Sequence, residues 1–282
     1  MRMLLLMLAL GTAIHGASLI VESTHTTNCV YLTEANSTPV TISTSGSNGS
    51  STCAATAQVD GGAMGVLLGP ASSISEARGY YGSIDARAVG KGSGPEGSGG
   101  GTGHASVSFT DAMAFYGVPE GIVGFELVTS LSATRDKPAA IVRPAVTFLL
   151  NLAAQASPVL GYPGAPDSPL AGTVTNVSAT SAYYVRFVSG VKIPFFVGAT
   201  VDAAGSGAIA DLSLSIAMLV KVYNTDGTLM ASCTYTTDSN APYNVACATN
   251  VTMSPEPSSA LLCGAGCVLV YLRRSRLMRL LR

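Results

Sequence analysis

From Asp211 onward, Leu212, Leu214, Ile216, Met218, Val220 and Val222 alternate with Ser213, Ser215, Ala217, Leu219 and Lys221. A period of two puts the large apolar side chains on one face of an extended chain, where a helix would scatter them around its axis. Such a strand needs a second layer to bury that face. Asn224-Thr225-Asp226-Gly227 follows, and its Asp-Gly pair suits a tight hairpin, with 228–237 as the return strand. β-rich runs recur at 105–115, 122–131, 139–152 and 182–197, separated by Gly, Pro or Asn. The stretch 146–156 has helical propensity, but Pro138, Pro144 and Pro158 would confine a helix there to about three turns. The fold expected is all-β: an antiparallel β-sandwich with Greek-key or jelly-roll connections. A Pro- and Gly-rich stretch at 157–172 has the composition of a boundary, yet strands on both sides can share one core, so one domain is expected over 18–254.

Charge narrows the function classes. The chain has 282 residues, 48% hydrophobic and only 11% charged, against about 25% charged in an ordinary soluble protein. That is too apolar for disorder. Within 18–254 there are 15 Asp and Glu against 9 Lys and Arg, a net of −6, which disfavours nucleic acid as a partner. Five of the remaining arginines fall in the last ten positions.

Both ends read as membrane segments. Arg2, an apolar run over 4–10 and small residues to Ala17 make a secretory signal peptide, 1–17, with cleavage near Ala17 or Ser18. At the other end, 254–259 reads Ser-Pro-Glu-Pro-Ser-Ser, 260–272 carries no charge, and Arg273, Arg274 and Arg276 follow. A 13-residue helix spans ~20 Å, short of the ~30 Å hydrocarbon core. Snorkelling arginines and the flanking serines narrow the gap, giving a weak transmembrane helix. By the positive-inside rule both ends face the cytoplasm and the middle is exported.

A Pro-Glu-Pro tripeptide, a short apolar helix and an Arg-rich end, on a chain with a signal peptide, resemble the PEP-CTERM sorting signal of Gram-negative bacteria. The resemblance covers 255–282. It implies that Pro255, Glu256 and Pro257 are the recognition motif, that 260–272 crosses the inner membrane transiently, and that Arg273, Arg274 and Arg276 are the stop. It also implies an exosortase and signal peptidase as partners, and a place in exopolysaccharide and biofilm production. Cys263 and Cys267 depart from the family's usual helix composition. The small-residue strands around Gly101-Thr102-Gly103 are a compositional likeness to the exported parts of such proteins.

In the exported part four cysteines remain. Nearest pairing joins Cys29 to Cys53 and Cys233 to Cys247, although four cysteines allow three connectivities. In an oxidising compartment each bond contributes ~3 kcal/mol through the unfolded state. His25 and His104 stand at no ligand spacing from a cysteine, so neither metal nor cofactor is expected.

Enzyme motifs are thin. The glycines of 92–97 fit a dinucleotide pattern, but they precede a strand-like run, and eight glycines in 90–103 make chance matches common. A flexible surface loop over 90–103 is the reading adopted. Ser189 and Lys192 match a Ser-x-x-Lys pair but lie in a strand-like setting without companion motifs. Asp226 lacks the other ligands of a calcium loop. Asn36, Asn48, Asn176 and Asn250 lie in glycosylation sequons, which in a bacterial host are simply polar turn residues. The function expected is therefore a non-enzymatic surface or extracellular-matrix protein. The alternative is a carbohydrate-binding module or adhesin, for which Tyr80, Tyr81, Tyr183 and Tyr184 offer stacking faces.

Overall fold

A computed structural model describes residues 16–33, 36–58, 64–93, 99–137, 139–151, 153–154 and 173–247. These residues form sixteen strands and no helix. In chain order they are β1 (Ser18–Thr33), β2 (Asn36–Gly46), β3 (Gly49–Thr52), β4 (Thr56–Gln58), β5 (Met64–Leu67), β6 (Ala71–Tyr80), β7 (Ser83–Gly92) and β8 (Gly99–Tyr116). There follow β9 (Glu120–Arg135), β10 (Ile141–Leu150), β11 (Ala153–Ala154), β12 (Thr173–Val188), β13 (Ile193–Ser206), β14 (Ile209–Tyr223), β15 (Thr234–Thr237) and β16 (Asn244–Val245).

Two sheets result, antiparallel apart from the short parallel contact of β16 with β14. The first runs β11-β10-β13-β8-β1-β5-β4, with β2 also on β1 and β15 also on β8. The second runs β12-β9-β14-β7-β6-β3, with β16 on β14. Four pairs are nested: β7 with β14, β8 with β13, β9 with β12 and β10 with β11. Successive pairs fall in alternate sheets, as when one long hairpin folds over on itself.

The period-two face of β14 does what its sequence requires. Leu212, Leu214, Ile216, Met218, Val220 and Val222 are all buried. Phe109 of β8 and Phe195 and Val197 of β13 belong to the same core. Phe125 of β9 meets Phe195 at 5.1 Å and Phe148 of β10 at 6.0 Å between ring centroids. Each such aromatic, fully buried, stabilises the fold by about 1.5–3 kcal/mol. Strands before and after 155–172 share this core, so they form one packing unit.

The glycine-rich stretch departs from the flexible loop expected. Gly90 and Gly92 end β7, Gly99 to Gly103 open β8, and residues 94–98 lie outside the described set. A Cβ built on Gly90 would collide with the Gly101 carbonyl, and one on Gly101 with the Ser72 carbonyl of β6. Gly103 is blocked in the same way by the Ile74 carbonyl. Here the two sheets approach backbone to backbone, and only a residue without a side chain fits.

Two further expectations change. The run 182–197 is split between β12 and β13 by a turn at Ser189-Gly190, where Gly190 has φ +76°. The segment 228–237 does not return along β14. One isolated bridge, Tyr223 to Leu229, is made before the chain crosses to the first sheet and pairs Thr234–Thr237 with Met113–Tyr116. Burying Tyr235 beside Phe115 and closing the Cys233–Cys247 bond require that crossing. Of the predicted signal peptide helix, 1–17, all but residues 16 and 17 lies outside the described residues, as does the whole predicted transmembrane helix, 260–272; among the described residues no helix is long and apolar enough to cross a membrane.

Candidate functional site

The outer face of the second sheet is hollowed where its side chains are small. By register, Ser132 of β9 and Ser213 of β14 lie in one cross-strand row that continues to Arg87 of β7 and Glu76 of β6. Two residues along, Ser130 and Ser215 lead to Asp85 and Arg78. Serines on the central strands thus make a floor, and the long charged side chains of β6 and β7 make a wall. The trough encloses about 580 Å³ and reaches Asn176 and Ser178 on β12. Arg87 is fixed by a fork onto Asp211, with Nη2 to Oδ2 at 3.1 Å and Nε to Oδ1 at 3.4 Å. That bond raises the guanidinium pKa, with burial opposing it. Glu76 stands opposite Arg87, and Asp85 opposite Arg78. Hydroxyls, carboxylates and planar guanidinium groups in two rows are the chemistry that binds a polyol by many hydrogen bonds.

Inside the sandwich lies a buried acidic group. Asp111 of β8 has the inward parity of Val107, Phe109, Met113 and Phe115, and is 2% exposed. Its carboxylate accepts hydrogen bonds from the Tyr243 hydroxyl at 2.7 Å, the Ser239 N–H at 3.1 Å and the Ala112 N–H at 2.8 Å, and from the Ser239 hydroxyl. Burial, and next the Asp111 charge, push the Tyr243 and Tyr81 phenols above their ordinary pKa. Tyr243 in turn is held by Tyr235, whose hydroxyl accepts from its N–H at 3.1 Å and donates to its carbonyl at 3.2 Å. These donors stabilise a buried carboxylate by dipoles. They also fasten the segment leading to Cys247 onto β8.

The two histidines among the described residues take unrelated parts. His25 is buried, with Nδ1 3.2 Å from Ser75 Oγ. Beside it Thr27, Ser51 and Ser73 form a closed hydroxyl cluster between β1, β3 and β6. His104 sits on the outer face of the first sheet, Nδ1 to Asp202 Oδ1 at 2.6 Å. That hydrogen bond raises the imidazole pKa; burial opposes it, and the charges of Asp202 and Glu22 add to it. Among the described residues no three potential metal ligands cluster.

Cys29 is bonded to Cys53 and Cys233 to Cys247, each with a Cα–Cα distance of 5.5 Å. Ser189 lies in the β12–β13 turn rather than on a helix, and Lys192 pairs with Asp238 at 2.5 Å. Asp226 bonds Thr228 within its own turn, which holds the carboxyl below its ordinary pKa. The four tyrosines make no common platform. Tyr81 packs edge-on to Phe109 and Tyr183 packs on Phe148, while Tyr184 lies against Tyr223 over Gly124. Tyr80 is exposed on β6, separated from Tyr184 by β7, β14 and β9. The predicted sorting residues Pro255, Glu256, Pro257, Arg273, Arg274 and Arg276 lie outside the described residues.

The trough was not legible in advance because five separate strands build it. Asp111 had a signal, an acid at an apolar parity position. Compared with known proteins, the chain matches no protein-family model and no curated protein.

Proposed function

We propose that the chain is an exported, non-enzymatic surface or matrix protein of a Gram-negative bacterium. It crosses the inner membrane with a signal peptide helix at 1–17 and a short transmembrane helix at 260–272, and an exosortase processes it after Pro255, Glu256 and Pro257. The order of motif, apolar run and arginines in 255–282 carries this reading. Three features of the fold support it. Two disulfides join residues of the body, as suits an oxidising compartment. β1 opens at Ser18, directly after the candidate cleavage position. The last described tie, Cys233–Cys247, ends eight residues before Pro255, so a processing enzyme would meet the motif beyond the bonded body. The nested strand pairs support a jelly-roll assignment for the body, a fold that protects its sheet edges. Alanine at positions 255–257 is expected to leave unprocessed precursor in the inner membrane; normal maturation of that variant contradicts the proposal.

A second reading, binding of matrix polysaccharide, is favoured by the trough with its serine floor and the Arg87–Asp211 fork. Its test is glycan-array binding of the wild-type chain against Arg87→Ala. Binding that is equal in both, or absent from both, rejects the trough as the site.

A further inference from the structure

We propose that the end of the sandwich where β8, β12 and β14 finish is a lipid-contacting face that rests on the membrane holding the chain's apolar ends. The proposal depends on the export reading for those anchors.

The three strands finish together. Val188 of β12 pairs with Glu120 and Tyr223 of β14 with Ile122, two residues apart on β9, and β9 follows β8 through the turn 117–119. The turns at this end carry apolar side chains outward. Val188, Val191 and Leu229 are at least half exposed, and Tyr116 is 39% exposed. Isolated exposed apolar residues are ordinary. These sit at strand ends and turn bases that are already rigid. The Ser189 N–H donates to the Pro119 carbonyl and the Gly190 N–H to the Phe115 carbonyl, both at 2.9 Å, locking two turns to each other. The third turn is closed by Asn224 N–H to the Thr228 carbonyl at 2.8 Å and Met230 N–H to the Val222 carbonyl at 2.9 Å. Little ordering entropy is left to lose on contact.

The chain also leaves the fold toward this end. β16 runs parallel to β14, pairing Asn244 with Leu219 and Val245 with Val220, so Cys247 points toward Tyr223. Ser18 lies beside Thr110 in β8, with β1's start directed toward Tyr116. Only 248–259 separate Cys247 from the uncharged run at 260, and twelve residues reach ~40 Å at most. A tether that short holds the body at high local concentration over the bilayer, so a few apolar contacts suffice. Tyr116, Tyr184 and Tyr223 have the amphipathic rings that settle at headgroup level. Lys192 and Lys221 are matched by Asp238 and Glu126, and the same turns carry the exposed carboxylates of Glu120 and Asp226, so this end has no excess positive charge and its contact needs no anionic lipid.

The chain contains no Trp, so each introduced Trp reports alone. Full-length chains carrying Val191→Trp, Leu229→Trp or, at the far end on β5, Met64→Trp are reconstituted into phosphatidylcholine vesicles with and without brominated acyl chains. The first two are expected to be quenched roughly twofold or more, as interfacial Trp is, and Met64→Trp to be unaffected. Vesicle-borne chain in which Val191→Trp is quenched no more than Met64→Trp overturns the face and leaves the export reading standing. A chain that does not float with vesicles overturns both. Hydrogen exchange on the unsubstituted chain covers misfolded variants: vesicles should slow exchange at 116–119, 188–192 and 224–230 relative to detergent, and equal exchange there refutes the proposal.

Discussion

The Tyr243 hydroxyl donates a 2.7 Å hydrogen bond to the buried Asp111 carboxylate, joining the last described segment of the chain to the middle of the core. Removing it leaves the carboxylate one donor short in a place water does not reach. Tyr243→Phe is expected to cost about 1–3 kcal/mol in denaturant unfolding. Asp111→Ala, which also strands Ser239, should cost at least as much.

The same pair sets an alkaline limit. The folded Tyr243 pKa lies above its ordinary value of 10.0, so its contribution is complete below that value and is lost as pH rises above it. Above about pH 10, stability of the wild type should fall more steeply than that of Tyr243→Phe, by up to ~1.4 kcal/mol per pH unit. Parallel pH profiles for the two proteins contradict this.

His104 offers a milder titration. Its pKa is raised by Asp202, so the pair stabilises the fold below about pH 6.5 and its contribution disappears as pH rises through the folded value. An NMR titration of the imidazole should show a pKa above the ordinary one, falling in Asp202→Asn. Since both side chains are more than two-fifths exposed, solvent screening keeps the stability effect small.

Close sheet contact makes Gly101 intolerant. Gly101→Ala places a Cβ against the Ser72 carbonyl, and prising the sheets apart should cost about 1–3 kcal/mol. Gly117 has φ +95° but open space around it, so Gly117→Ala should cost only backbone strain, about 1 kcal/mol. Thermal melts of the two variants test the order.

The residues explain which parts of this fold could be read from sequence. Strand parity is local, so the buried face of β14 was visible in Leu212 to Val222. Nearest-neighbour spacing also led to the cysteine pairs found. The fate of Thr234–Thr237 was hidden, because an Asp-Gly turn specifies a reversal of direction but not which sheet receives the returning chain. Glycines at 90–103 misled for a related reason: the composition that permits flexibility also permits backbones to touch, and only the opposing strands decide between them. The serine trough exists only once β9, β14 and β7 are in register.

The export account is tested most directly by the intact mass of the protein recovered from its native host, measured with and without thiol alkylation. It predicts a chain beginning near Ser18, cut beyond Pro257, with Cys29, Cys53, Cys233 and Cys247 protected as disulfides. A full-length 282-residue chain in the cytosol, alkylated at those four cysteines, would contradict it.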